Sequence, residues 1–552
     1  MKRLDSFETV KALTRNMVKI PSINRAPGQE TAIARYIYDY YSGLEYFKNN
    51  PGNVSIHPTK DDFVQRHNVC AWIRGTKGPS GRAVVLLSHT DTVGIEDYDS
   101  IKQWACDPDA LPEKLLQLDL PSDIVEDIKS GEFMFGRGAL DMKSGAAGHM
   151  FLMDYFSRHP DELDGVLIAM HTCDEEAYCH GIITALDWLY ELKRAENLDF
   201  AACINSDYST NYNPGDQSRY IYYGCIGKVL PCFYAFGKET HVGQAFAGLD
   251  PNLLLSEVTR DVSLNTDLCD VALGETTVPP ISLRFADTKE EYTVQTAISS
   301  LACFNFFTHS MLPQEVLDKC KAVAENSFST VVGRLSAQYE KYCELSGVPF
   351  TPLPWRTKVL TWDEFYQSLA ARHGKPFEDA IATFGKALAA SHPALDMRQF
   401  SCRVIDEAWK WEQDKSPCII VFLGSVFHTH CGLTREDARS AALLDAVEAS
   451  VEEVRPHAKR RLVTRMFYPY IADISMIVAP KADVTPTLAA QMPSWGNVYT
   501  YDLEASLRVD MPVCNIGTFG RDGHMLTERV DMWHTFQNIP DITYRTIARL
   551  LG

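Results

Sequence analysis

AVVLLSHTDTV, residues 83–93, opens as an unbroken apolar run and closes on His89-Thr90-Asp91. A short run rich in Val and Leu reads as a strand buried on both faces. Three further runs share its texture: NVCAWIRG (68–75), GVLIAMHT (165–172) and FAACINS (200–206). Segments with helical periodicity, Lys143–His159 and Gly181–Lys193, lie between them. Strands alternating with helices imply an α/β domain built on a sheet. Residues 6–46 add two helices, separated by the breaks Pro21-Ser22 and Ala26-Pro27-Gly28.

The ends of these runs carry the chemistry. One stops at His89-Thr90-Asp91, the next at Asp174-Glu175-Glu176 and the last at Ser206-Asp207. Ligands of open α/β sheets bind beyond the carboxyl ends of strands, so imidazole and carboxylates are delivered to one rim. A glycine-rich turn, Gly136-Arg137-Gly138-Ala139-Leu140-Asp141, adds an acid just before a helix, where the backbone can wrap closely round an ion. Taken singly, each piece has an ordinary reading: surface decoration, a solvated acidic face, a tight connection. Their joint occurrence at strand ends makes a constellation, with Asp141 as the candidate bridge. The pair His428 and His430 follows a buried run without acids at ligand spacing and reads as structural. Neither a nucleophile elbow nor a phosphate-binding glycine loop occurs.

Composition narrows the class further. The chain has 552 residues, 45% hydrophobic and 23% charged, as expected for a globular protein with a large core. A net charge of −19 opposes nucleic acid and anionic lipid as partners. Fifteen cysteines without a C-x-x-C pair fit reduced thiols, and the N-terminal residues lack a secretory apolar stretch, so a cytoplasmic protein is expected. No run approaches the ~20 apolar residues of a membrane span.

After Asp207 the texture changes. An aromatic stretch, RYIYYGCIGKVLPCFYAF, leads to a helix near Pro251–Val262, a strand-like run over Tyr292–Phe307 and a long helical pattern from Pro313 to about Leu345. The Pro-rich Val348–Pro354 reads as the exit of this α+β unit, followed by helices at 362–390 and 398–413 and strands at 418–424 and 512–516. The expected organisation is a first catalytic segment (1–217), an inserted unit (218–360) and a second catalytic segment (361–552).

His89-Thr90-Asp91, the Gly136–Gly145 turn, Asp174-Glu175-Glu176, Gly237-Lys238-Glu239-Thr240-His241 and Gly520-Arg521-Asp522-Gly523-His524 together resemble the di-zinc aminoacylases and exopeptidases of the ArgE/DapE/carboxypeptidase-G type. The chain's size and FYPYIADIS (467–475) look like the arginine-utilisation RocB branch of that family. The resemblance implies a large mixed-sheet zinc-exopeptidase-like catalytic domain with an inserted α+β lid, through which two copies could pair. It also implies two divalent ions, zinc first, with manganese or cobalt as alternatives. His89 and Asp207 would hold one ion, Glu176 and His524 the other, and Asp141 would bridge them. Asp91 would fix the His89 tautomer, Glu175 would be the general base, and His241 would stabilise the oxyanion from the lid. The segment Asn205-Ser206-Asp207 departs from the Glu-Pro-Thr type common in the family. The expected activity is hydrolysis of an amide or peptide bond in a small amino-acid derivative, within arginine or related amino-acid catabolism. Two alternatives remain: a non-catalytic metal- or amino-acid-binding protein on the same scaffold, and a mononuclear enzyme should Asp207 point away.

Overall fold

The four apolar runs form neighbouring strands. In the computed structural model, which describes residues 3–60 and 62–552, they are His67–Arg74, Arg82–His89, Val166–Thr172 and Asp199–Asn205. They lie in an eight-stranded mixed sheet whose order is Val54–Pro58, His67–Arg74, Val166–Thr172, Arg82–His89, Asp199–Asn205, Val513–Asn515, Arg219–Tyr222 and Leu462–Arg465. From Val166–Thr172 through Val513–Asn515 the neighbours are parallel. Their carboxyl ends therefore open on one rim. Burial on both faces explains the lack of polar alternation: Val84 and Leu86 enter one core cluster, while Val85 and Leu87 are equally inaccessible on the opposite side.

That cluster is closed by helices Phe7–Val18, Gln29–Ser42, Lys143–Arg158, Ala438–Val454 and Ile539–Leu551. The sheet and these helices belong to a compact unit made of residues 1–226, 429–479 and 504–552. A three-stranded sheet of Gly520–Arg521, Arg529–Asp531 and Phe133–Phe135 completes it.

A second compact unit comprises residues 227–428 and 480–503. Its sheet runs Ile281–Asp287, Ser299–Thr308, Pro231–Phe236, Cys418–Leu423, Val359–Thr361, with Gly227–Val229 also paired to Ser299–Thr308. Helices Pro251–Val262 and Pro313–Ser346 contact this sheet. Trp362–His373, Lys375–Ser391 and Met397–Trp409 pack on the face presented by Cys232, Tyr234 and Phe236, where Phe236 stacks on Trp409 with ring centroids 4.2 Å apart.

These boundaries differ from those expected. The aromatic stretch divides after Ile226, because Arg219–Tyr222 pairs with Leu462–Arg465 in the first sheet while Pro231–Phe236 pairs in the second. The helices at 362–409 and the Cys418–Leu423 strand belong to the second unit, not to a returning catalytic segment. Cys418–Leu423 is hydrogen-bonded antiparallel to Pro231–Phe236, which binds it there. All fifteen cysteines are free thiols. Among the described residues no helix is long and apolar enough to cross a membrane.

Candidate metal centre

Parallel pairing brings the predicted side chains together at the rim. His89 ends its strand, and Glu175 and Glu176 follow Thr172 on the neighbouring one. Asp207 follows Asn205 on the other side, and His524 sits in the turn between the short strands Gly520–Arg521 and Arg529–Asp531. The Gly136–Gly145 turn carries Asp141 into their midst. Gly138 has φ +78°, and a Cβ there would lie 2.7 Å from Thr92 Cγ2. Gly145 brings the following helix against the Asp207 strand so closely that a Cβ would lie 2.3 Å from the Ser206 carbonyl oxygen. Only glycine permits either approach.

Asp141 divides its two oxygens between two imidazoles. Oδ1 is 3.0 Å from His89 Nε2, and Oδ2 is 2.8 Å from His524 Nε2. His524 Nε2 is also 3.0 Å from Glu176 Oε1. Ligand atoms of His89, Asp141 and Glu176 all fall within 4.8 Å of one another. Glu175 Oε2 stands 3.9 Å from His89 Nε2, and Asp207 is buried in the same field, facing the charges of Asp141, His89 and Glu176.

The charge balance is unusual. Asp91, Asp141, Glu175, Glu176, Asp207 and Asp473 are six nearly inaccessible carboxylates gathered round two imidazoles, His89 and His524. Burial works against every one of these charges. It raises Glu175 well above the ordinary carboxyl range, Glu176 to about 7 and Asp207 to about 8, the last two also repelled by Asp141. Asp141 and Asp91 are the exceptions: hydrogen bonds from His524 and His89 outweigh the burial of Asp141, those from His89, Asn24 and the Glu176 N–H outweigh that of Asp91, and both carboxyls are held below their ordinary value. Conversely Asp141 and Glu176 overcome the burial of His524 and push it up to about 11. Nitrogen and oxygen donors with this excess of negative charge fit divalent cations, which would remove the repulsion that protons otherwise relieve.

A second layer fixes these groups. Asp91 Oδ1 faces His89 Nδ1 at 3.5 Å, and the Asp91 carboxylate accepts the backbone N–H groups of Glu175 and Glu176, each at 3.1 Å. Asn24 Nδ2 adds a 2.8 Å bond to it. Asp174, the remaining acid of the triplet, turns away to Arg66, Asn24 and His180 and so anchors the loop. Asn515 grips the backbone of Asp207 on both sides, accepting its N–H at 3.0 Å and donating to its carbonyl at 2.9 Å. Glu528, itself paired with Arg137 at 2.6 Å, accepts from the Leu140 and Asp141 N–H groups.

Sequence reasoning did not single out several neighbours. Asp473, in FYPYIADIS, bonds to Thr172 Oγ1 at 2.6 Å, and its burial together with nearby Asp91 and Asp174 raises it to about 7. Tyr470 of the same stretch stacks on Tyr208 with centroids 5.0 Å apart, and Tyr208 lies beside the His524 ring. Tyr468 donates to the Tyr208 carbonyl at 2.6 Å. The signal was the density of Tyr and Asp in 467–475, noted for its resemblance but not for its chemistry. His241 lies in the second unit on an exposed turn, where Nδ1 accepts the Gly243 N–H at 3.1 Å.

Residues 85–494 match the family described as Peptidase family M20/M25/M40. The chain belongs to that family. Among M20/M25/M40-related sequences it is 34% identical over 549 residues to Protein RocB of Bacillus subtilis strain 168, covering 99% of this chain and 96% of that one. It is 30% identical over 542 residues to the uncharacterized protein YqjN of the same organism, covering 98% and 96%. The M20 family metallo-carboxypeptidase Sso-CP2 of Sulfolobus solfataricus shares the fold, with TM-score 0.51, 11% identity and coverage of 98% and 99%. The M20 membership makes this chain a metallopeptidase-type hydrolase with a candidate metal centre in its first unit.

Proposed function

We propose that the protein hydrolyses an amide or peptide bond of a small N-acyl amino acid or short peptide, using two divalent ions. The observation that carries this reading is Asp141, whose two oxygens face different imidazoles amid an excess of buried carboxylates. His89 and Asp207 would hold one ion and Glu176 and His524 the other, with Asp141 shared. Zinc suits these donors best, and manganese or cobalt are alternatives. When bound, such ions polarise a carbonyl and make water acidic enough to attack at neutral pH.

The chain's own groups do the rest. Asp91 Oδ1, 3.5 Å from His89 Nδ1, would keep the proton on that nitrogen and so leave Nε2 as the ligand nitrogen. The Glu175 carboxylate takes a proton from the attacking water and returns it to the nitrogen of the leaving amine. Its burial raises its proton affinity, which suits that transfer. His241 would donate from Nε2 to the developing oxyanion, as the family resemblance implies. Tyr208 and Tyr470 would line the substrate side of the His524 ligand.

The resemblance of residues 467–475 to the arginine-utilisation branch supports amino-acid catabolism as the setting, and the free thiols support a reducing cytoplasm. Pairing of two copies is supported by the edge strand Ile281–Asp287, which leaves Ile281, Leu283 and Phe285 exposed. The test is elemental analysis of protein purified without chelator, alongside Asp141→Ala, followed by a screen of N-acyl amino acids and dipeptides. About two ions per chain, lost in the variant, with product released from one panel member, is the expected result. Bound ions without product across the panel would favour a binding protein; no ion after added Zn²⁺ or Mn²⁺ would end the hydrolytic reading.

A further inference from the structure

His89 and His524 are held in different ways. Asp91 Oδ1 stands 3.5 Å from His89 Nδ1 and gives that ring a carboxylate on its far side. His524 has no counterpart: its ring bonds through Nε2 alone, to Asp141 and Glu176, and Nδ1 makes no hydrogen bond or ion pair among the described residues. Ligand imidazoles ordinarily rely on a partner at the far nitrogen for their orientation. The backbone of the turn is demanding as well. Asp522 (φ +55°) and His524 (φ +65°) are non-glycine residues in the left-handed region, a conformation that lasts only where the surroundings enforce it. Asp522 is held by Thr527 Oγ1 at 2.6 Å and by Arg529. The His524 side chain, 43% exposed, needs support from elsewhere.

Tyr208 supplies it. Ser209 donates its N–H to the Thr518 carbonyl at 2.8 Å and accepts the Gly520 N–H at 3.1 Å, so the chain beyond Asp207 runs beside the strand that leads into the His524 turn. This register lays the Tyr208 ring on the turn. A Cβ on Gly523 would lie 3.1 Å from Tyr208 Cε2 and Cζ, and the Tyr208 and His524 ring centroids are 6.5 Å apart. Tyr470 stacks on Tyr208 with 17° between the ring planes. Tyr468, fully buried, meets Tyr470 edge-on at 5.5 Å and Tyr222 of the eight-stranded sheet at 5.4 Å, and its hydroxyl donates to the Tyr208 carbonyl. Pro469, between the two props, restricts the backbone on which both stand.

We propose that Tyr208, propped by Tyr468 and Tyr470, is a positioning residue that holds the His524 imidazole where it can bind the ion shared with Glu176. The inference rests on the two-ion reading above. Tyr208 serves the other ion through its main chain, because its N–H donates to Asp207 Oδ1 at 2.7 Å whatever the side chain. Removing the ring or its prop therefore loosens one ion and spares the other.

The test compares full-length Tyr470→Ala and Tyr470→Phe with the parent in two measurements. Titration with Zn²⁺ against a chelator of known affinity should show one of two ions bound roughly tenfold or more weakly in Tyr470→Ala, with the other within about twofold of the parent. Tyr470→Phe keeps the ring and should hold both ions within about twofold. In a His524→Ala background Tyr470→Ala should add no further loss, since the group it positions is gone. Hydrogen exchange of the metal-free protein should be about fivefold or more faster over residues 521–526 in Tyr470→Ala and unchanged over residues 82–89. Tyr208→Leu should repeat both shifts, and it stands in if Tyr470→Ala fails to fold. A parent that binds no ion would end the hydrolytic reading and leave exchange to decide the brace, which unchanged protection over 521–526 overturns. Equal weakening of both ions, unchanged affinities, a further loss in the His524→Ala background, or a Tyr470→Phe variant as weak as Tyr470→Ala would each overturn it too.

Discussion

Glu175 Oε2 stands 3.9 Å from His89 Nε2, near enough to feel the ring's charge and too far to hydrogen-bond with it. The carboxylate is therefore not tied up by the adjacent ligand and stays available to a water molecule. Glu175→Gln keeps the shape and removes the basicity. We expect the variant to retain its metal content while turnover of whichever panel substrate the parent cleaves falls at least 10³-fold. Paired metal analysis and initial rates decide the matter, and near-parental turnover would remove Glu175 as the base.

Asp91 holds the backbone of both Glu175 and Glu176 as well as facing His89. Its loss would unfasten the loop of Glu175 and Glu176 and free the His89 ring together. Asp91→Ala should weaken metal binding about 10–100-fold, as loss of a supporting carboxylate commonly does. Competition against a chelator of known affinity measures this, and an unchanged affinity would mean the loop is held by Asp174 alone.

Protons occupy the centre when cations do not. Asp141 and Glu176 push His524 up to about 11, so its ring is protonated at neutral pH, whereas a ligand nitrogen must be neutral. Metal uptake therefore expels protons, and affinity climbs as pH rises. Calorimetric titration with Zn²⁺ at pH 7 in buffers of differing ionisation enthalpy should report at least one proton released per chain. No buffer dependence would contradict the assignment of His524.

In the second unit Arg372 holds Glu412 through two 2.7 Å bonds, and these draw the buried Glu412 down to about 2 from 4.5. A depressed carboxyl stabilises the fold above its unfolded pKa and loses that contribution as pH falls through the folded one. Because the Arg372 side chain is 40% exposed, the contribution is discounted to about 1–2 kcal/mol. Arg372→Met should show that loss in urea unfolding at pH 7, and the gap to the parent should narrow steadily between pH 4.5 and 2.

The exposed row Ile281, Leu283 and Phe285 gives a test of pairing. If two copies join along this edge, Leu283→Arg should yield monomers by light scattering with the thermal midpoint of each unit little changed. A dimer that persists in the variant would place the contact elsewhere.

Much of the first unit was legible because its strands are buried on both faces and so read as continuous apolar runs that stop abruptly at polar ligands. His89, Glu175, Glu176 and Asp207 reach the rim for that reason, whereas Asp141 arrives on the glycine-rich turn and His524 on the turn between Gly520–Arg521 and Arg529–Asp531. The extent of the second unit was not legible. Cys418–Leu423 has the same apolar texture as Arg82–His89, and only its hydrogen bonding to Pro231–Phe236, nearly two hundred residues earlier, decides which sheet it joins. Asp473 was missed because no spacing ties it to the other acids; the fold alone brings it to Thr172.

Val513–Asn515 sits in the middle of the eight-stranded sheet, between strands that precede it by some three hundred residues. On the ribosome, a chain that has emerged only as far as residue 500 therefore has an open seam beside Asp199–Asn205. It also lacks His524, Glu528 and the Asn515 side chain that clamps Asp207. The second unit, nearly all of which has emerged by then, can be made before the first can close. Synthesis order thus keeps the proposed ligand cluster incomplete until residues beyond 500 arrive, and on the two-ion reading a nascent chain would not hold its full set of ions early.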